Sequence, residues 1–260
     1  MTLALESLGR QLIQLQGSLR DFFALVIETL IEIPGRPLRI GDWFKQLHFV
    51  MNQSLPIVLF CVCFAAMVTI LESSFHMKMV IQNDSMVPGF ASMLILRELG
   101  AVVTALLLTS RVGAGMTAEV GTMKITEQIE ALQMLGIRPV QYLVVPRFVA
   151  CVIGATLLTL LANLVCLWAA QIVSEFYLGF TLAQFLTAMR RFVQFQDLIF
   201  AAIKGACFGA VIPMVSCFFG FRCRTGAEGV GSATTRSVVT SSIAIIVIDF
   251  VLSFLFSFLY

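Results

Sequence analysis

The stretch SMLILRELGAVVTALLLTS, residues 92–110, sets Arg97 and Glu98 side by side inside an otherwise apolar run. A helix needs about 20 apolar residues to cross the hydrocarbon core of a bilayer. Insertion scales put a charge at the centre of such a helix at roughly 2.5–3.5 kcal/mol, so charges there normally face protein or a wet cavity. Adjacent helical residues point about 100° apart and do not face each other. Arg97 and Glu98 each need an environment of their own, and a polar-lined cavity between helices supplies one.

The rest of the chain is of the same kind. It is 59% hydrophobic and 12% charged, against about 25% charged for an ordinary soluble domain. Five apolar runs are long enough to span: Phe49–Leu71, Gly89–Ser110, Phe148–Ser174, Leu198–Phe221 and Ser237–Tyr260. The short alternating segments of a β-barrel are absent. The expected class is an all-α integral membrane protein with five transmembrane helices. It forms one membrane domain over residues 1–260, with an interfacial region at 1–48 and the bundle at 49–260.

Placing the N-terminus in the cytoplasm gives that side twelve Lys or Arg residues: Arg10, Arg20, Arg36, Arg39, Lys45, Arg111, Lys124, Arg138, Arg147, Arg222, Arg224 and Arg236. The other side receives Lys78, Arg190 and Arg191. This excess predicts a cytoplasmic N-terminus and an external C-terminus. Ahead of the first span, Leu5, Leu8, Leu12, Leu15 and Leu19 recur at helical spacing, as in an amphipathic helix on the membrane surface. IPGRP, residues 33–37, ends or bends that element. Between spans two and three, the glycines of RVGAGMTAEVG are expected to turn the chain out of the membrane. A short amphipathic helix follows, with Ile125, Ile129 and Leu132 on one face and Glu127 and Glu130 on another. The N-terminal stretch lacks a basic region followed by a short apolar core and a small-residue cleavage site, so no cleavable signal peptide is expected there.

The chemistry of enzymes is missing. None of the four lysines follows glycine, as the phosphate-binding nucleotide loop requires. No G-x-S-x-G or H-E-x-x-H motif occurs, and there are only two histidines. The seven cysteines lie in or beside apolar runs with no C-x-x-C pair, so metal or redox chemistry is not expected, and no cofactor is. A net charge of +2 with scattered basic residues does not describe a nucleic-acid binder. What remains is the set of ionisable groups within the spans: Arg97 and Glu98, Lys204 in the fourth and Asp249 in the fifth. Mutual neutralisation, Arg97 with Asp249 or Lys204 with Glu98, is the structural reading of this set. Proton carriage by Glu98 and Asp249, as in a proton-coupled secondary transporter of an amphipathic substrate, is an alternative function.

LRELGAVVTALLLTSRVGAGMTAEVGTMKITEQIEALQMLGIRPVQYLVVPR, residues 96–147, resembles the signature region of the MlaE/YrbE permeases. These are the membrane subunits of ABC transporters that work with MCE-domain lipid carriers. ATTRSVVTSSIAIIVIDFVLSFL, residues 233–255, is similar to the same family's last helix. The resemblance implies a homodimeric permease of the bacterial inner membrane moving phospholipid or a related lipid between inner and outer membranes. It also implies ATP hydrolysis on a separate cytosolic subunit, a periplasmic ring of MCE-domain subunits and a STAS-domain protein on the ATPase. Arg97, Glu98 and Lys204 are then the candidate substrate-binding residues. Glu119–Leu135 corresponds to the cytoplasmic coupling helix that seats on the ATPase, with Glu119, Glu127, Ile129, Glu130 and Leu132 as its candidate contacts.

Overall fold

A computed structural model describes residues 2–33, 40–80, 84–224 and 226–259. The side chains of residues 2–15, 40, 42, 78, 80, 84 and 259 lie outside that description, as does most of IPGRP. Among the described residues every regular element is a helix. The long ones are α1 (Thr2–Glu32), α2 (Ile40–Val80), α7 (Val145–Leu178), α9 (Phe195–Phe221) and α10 (Ala227–Leu259). The second span is built from α3 (Val87–Leu94), α4 (Gly100–Leu108) and α5 (Ala114–Ile125), joined by π-helical turns at Ile95–Leu99 and Thr109–Gly113. Two short helices, α6 (Gln128–Met134) and α8 (Leu182–Phe192), lie between spans, and a third π turn, Val140–Val144, leads into α7.

Among the described residues, five stretches are long and apolar enough to cross a membrane: Trp43–Met77, Val87–Ile125, Val140–Leu178, Phe195–Phe221 and Ala227–Phe258. The first four each contain one of the apolar runs, the fifth covers residues 237–258 of the last, and each extends past its run at one end or both, because residues such as those of DWFKQLH keep the helix going after hydropathy falls. The largest difference is at RVGAGMTAEVG, which stays helical instead of turning. Its glycines thin the helix where α9 approaches: a Cβ on Gly113 would sit 3.2 Å from Ser216 Oγ, and one on Gly121 3.3 Å from Cys223 Sγ. The turn comes later, at Glu127, whose φ of 59° is left-handed. For a residue with a side chain that conformation is uncommon and strained.

In the bundle, α7 lies between α2 and α9, while α10 packs on α9 and α5. Gly205 and Gly209, a small-xxx-small pair, let α9 press onto α7. A Cβ at Gly209 would lie 2.6 Å from the Cys151 carbonyl oxygen and 2.9 Å from Ala155 Cβ. At the α6 end of the bundle, Leu25 of α1 joins Val120, Ile129, Val144 and Met214 in a smaller apolar cluster. The exposed residues of α1 include a second apolar row, Leu19, Phe23, Ile27 and Leu30. The most apolar window of the fifth span is only 11% buried, against 56% for the fourth. An uncovered flank with Ile243, Val247, Phe250 and Phe254 therefore runs along α10.

Gly209→Leu should overpack the α7–α9 contact and cost roughly 1–3 kcal/mol. Thermal unfolding of the detergent-solubilised chain would read this as a lowered midpoint. Gly231→Ala, which meets nothing within 4 Å, should leave the midpoint unchanged or raise it.

Candidate functional site

The charged residues within the spans come together at the end of the bundle where α3 begins and α10 finishes. Lys204, on α9, is completely buried. Its ammonium donates to Glu98 Oε2 at 2.8 Å and to the Arg97 carbonyl oxygen at 2.9 Å. It also lies 2.6 Å from Asp249 Oδ1, an ion contact off hydrogen-bond alignment. An ammonium has three N–H donors and no acceptor capacity; two of them go to Glu98 and the Arg97 carbonyl, and Asp249 is held by charge. Ser253, one turn beyond Asp249 on α10, donates to Glu98 Oε1 at 3.0 Å. The cluster therefore ties together the second, fourth and fifth spans.

Arg97 points elsewhere. Its Nε donates to Asp197 Oδ1 at 2.7 Å, and Asp197 is fully buried. The second oxygen of Asp197 accepts from the backbone N–H of Gln194 at 2.8 Å and so secures the start of α9. The two neighbours thus have separate partners, as their helical positions require. The Lys204–Glu98 pairing matches one expected pair, but the Arg97–Asp249 pairing does not form: Asp249 goes to Lys204 and Arg97 to Asp197. Asp197 stands one residue ahead of the apolar run beginning at Leu198, so a search inside the runs missed it. The available signal was its place three residues after Gln194, where an acid favours a helix start.

The π turn at Ile95–Leu99 holds both charged residues. Such turns insert an extra residue into a helix and occur often at functional sites. Beside it opens a pocket of about 290 Å³ lined by Arg97, Glu98, Phe200, Ser253, Phe256 and Ser257. Phe200 and Phe256 stack with centroids 4.0 Å apart and form an apolar wall. The Arg97 guanidinium lies 5.4 Å from the Phe256 ring centre and Lys204 Nζ 4.9 Å from that of Phe200, both within cation–π range. The Glu98 side chain is 44% exposed while Lys204 is sealed, so Glu98 is the acid of this cluster that meets the pocket, with Ser253 beside it. The arrangement offers charge, hydroxyls and aromatic surface together.

The other candidate residues sit at the opposite end. Glu119 pairs with the buried Arg147 at 2.9 Å, joining α5 to α7. Glu130 accepts from Lys124. That hydrogen bond holds the Glu130 carboxyl below its ordinary value, so the pair is intact at neutral pH and is lost only as pH falls through the lowered value. Ile129 is buried and Leu132 packs against the same cluster. The exposed apolar tip is instead Met134, Leu135 and Ile137, where Gly136 adopts a positive φ of 73°.

A five-span helical protein with a charged, aromatic-walled pocket among its spans has the build of a membrane permease. Residues 43–255 match the family model described as Permease MlaE, and the chain belongs to that family. A probable ABC transporter permease protein of Rickettsia bellii is 32% identical over 250 residues, 96% of each chain. The intermembrane phospholipid transport system permease protein MlaE of Haemophilus influenzae is 31% identical over 96% of this chain and 95% of that protein. The chloroplastic protein trigalactosyldiacylglycerol 1 of Arabidopsis thaliana is 32% identical over 88% of this chain and 65% of its own length.

Lys204→Met should destabilise the protein by roughly 3–5 kcal/mol, because it leaves two acids facing each other without their cation. Adding Glu98→Gln and Asp249→Asn to that variant should recover part of the loss. Melting midpoints of the single and triple variants measure both effects.

Proposed function

We propose that this chain is the membrane subunit of an ABC transporter moving phospholipid between the inner and outer membranes, with ATP hydrolysed on a separate cytosolic subunit. The observation that carries the reading is the pocket at Glu98. It sets a half-exposed carboxylate, an arginine and two serines against stacked aromatic rings, which suits a ligand with a polar head and an apolar body. The phospholipid role printed for the Haemophilus relative supports the same substrate class. Membership in a family of ABC permeases favours an ATP-driven step over proton coupling through Glu98 and Asp249.

In this proposal two copies assemble along the uncovered flank of α10, beside which the Glu98 pocket opens, and Arg97, Glu98 and Lys204 form or support the lipid site. The basic excess puts the α6 end in the cytoplasm and the other end in the periplasm, facing an MCE-domain ring. The α1 helix lies in the cytoplasmic interface with its row from Leu19 to Leu30 against lipid. The segment Glu119–Leu135 seats on the ATPase, which in turn carries the STAS-domain protein. Since Ile129 and Leu132 pack inward, the exposed tip at Leu135 makes the apolar contact, flanked by Glu127 and Glu130.

Three measurements test the proposal. Glu98→Gln should lower lipid transfer by the reconstituted complex while complex yield stays normal, and a photocrosslinker at position 98 should capture lipid. Normal transfer with no captured lipid overturns the assignment. At the other end, Leu135→Asp should reduce co-purification of the ATPase without affecting membrane insertion. Glu127→Gly, which suits the left-handed turn, should preserve the fold and isolate the contribution of that charge. Unchanged ATPase recovery in Leu135→Asp would remove the tip from the interface.

A further inference from the structure

At the α6 end a second cleft, of about 730 Å³, opens between α1, the end of α9 and the start of α10. Arg222, Arg224 and Arg236 line it, and among the described residues Asp21 is the only acid in its wall. Arg222 is engaged there: it donates to Ser18 Oγ at 3.0 Å, lies 3.7 Å from Asp21 and covers the Phe218 ring at 5.1 Å. Arg224 and Arg236 have no acidic partner among the described residues. Three cations against one acid leave an excess of two positive charges facing the cleft.

The position of these arginines is fixed by the fold. Gly229 approaches the Arg224 carbonyl so closely that a Cβ there would lie 2.2 Å from its oxygen. The connection carrying Arg224 is therefore folded onto α10. Arg222 directly follows the fourth apolar run and Arg236 directly precedes the fifth. Helical side chains lean toward the helix N-terminus, which carries the Arg236 guanidinium back toward Arg224. Phe218 and Phe219 form the apolar part of the wall. Guanidinium groups thus collect where an apolar span gives way to polar surroundings, which is the depth of phospholipid headgroups.

We propose that this cleft binds a phosphate group, and that the phosphate belongs to an anionic phospholipid lodged between α1 and the α9–α10 turn. Guanidinium forks match phosphate oxygens in pairs, and basic pockets between membrane helices bind anionic headgroups. A lipid fits better than a soluble phosphate because its chains can follow Phe218, Phe219 and the exposed apolar row of α1. The bound lipid bridges α1 to α9 and α10, adding to an attachment that in the protein alone includes Arg222 with Ser18 and Asp21, the Phe22–Phe218 contact and Leu25 packed in one cluster with Met214. This site is separate from the Glu98 pocket, so its failure would leave the transport reading intact.

The test uses the full chain in nanodiscs of phosphatidylcholine alone or of equal parts phosphatidylcholine and phosphatidylglycerol. Phosphatidylglycerol should raise the melting midpoint and should remain bound on release into mass spectrometry. Arg224→Gln with Arg236→Gln should weaken that retention about thirtyfold, at about one basic residue's surface attraction each. Unchanged helicity and elution volume of the double variant would show that it folds. Inorganic phosphate added to phosphatidylcholine discs should do nothing; an equal shift from phosphate overturns the lipid assignment. Identical melting in the two discs, or undiminished retention by the double variant, overturns the site. Loss of ATPase co-purification with lipid retention unchanged would assign the arginines to a protein partner and overturn it as well.

Discussion

One buried ammonium organises the outer architecture of this bundle. Lys204 has no exposed surface, and an isolated charge in that position would cost far more than folding supplies. It is tolerable only while Glu98, Asp249 and the Arg97 carbonyl surround it, and these come from two other spans. The requirement sets how α10 may sit. Its most apolar window is the least buried of the five, so apolar packing alone specifies its rotation weakly. The contacts from Asp249 to Lys204 and from Ser253 to Glu98 turn one face of α10 inward and leave the phenylalanine-rich flank outside.

The same economy explains how two adjacent charges share one helix. Arg97 reaches toward Asp197, whose other oxygen holds the beginning of α9, while Glu98 reaches toward Lys204 two turns further along α9. The second span is thereby clamped to the fourth at two levels, and the pocket lies alongside the clamp. The polar groups that line it are also structural groups. A ligand that draws on Glu98 must compete with Lys204 and Ser253 for it, so occupancy of the pocket and the seating of α10 are physically linked.

Much of this was legible because hydrocarbon is a severe solvent. Five apolar runs could only be helices, and Arg97, Glu98, Lys204 and Asp249 could only be gathered against protein. Pair identity was less legible. Lys204 with Glu98 was foreseen, whereas Asp197 escaped because hydropathy falls at a span boundary and an acid there looks like ordinary helix-start chemistry. The glycines of RVGAGMTAEVG illustrate a second limit: glycine marks a turn or a close approach with the same letter. Only the packing of α9 against Gly113 and Gly121 distinguishes them. Likewise Ile129 and Leu132 announced an apolar face, but whether it turns inward depends on Leu25 and Val144, which are remote in sequence.

The π turn at Ile95–Leu99 bears on how the length of this chain can vary. An i→i+5 turn holds one residue more than the helix around it. Deleting a single residue between 95 and 99 would allow an uninterrupted α-helix, locally the less strained state. Because the turn takes up its extra residue locally, the helices on either side would keep nearly their present faces, and Gly89 would still press on Phe192 and the Ala188 carbonyl. What would move is the turn itself, from which Arg97 and Glu98 reach Asp197 and Lys204 in different directions. The extra residue can therefore be lost without unseating the span, but not without re-aiming its two charges.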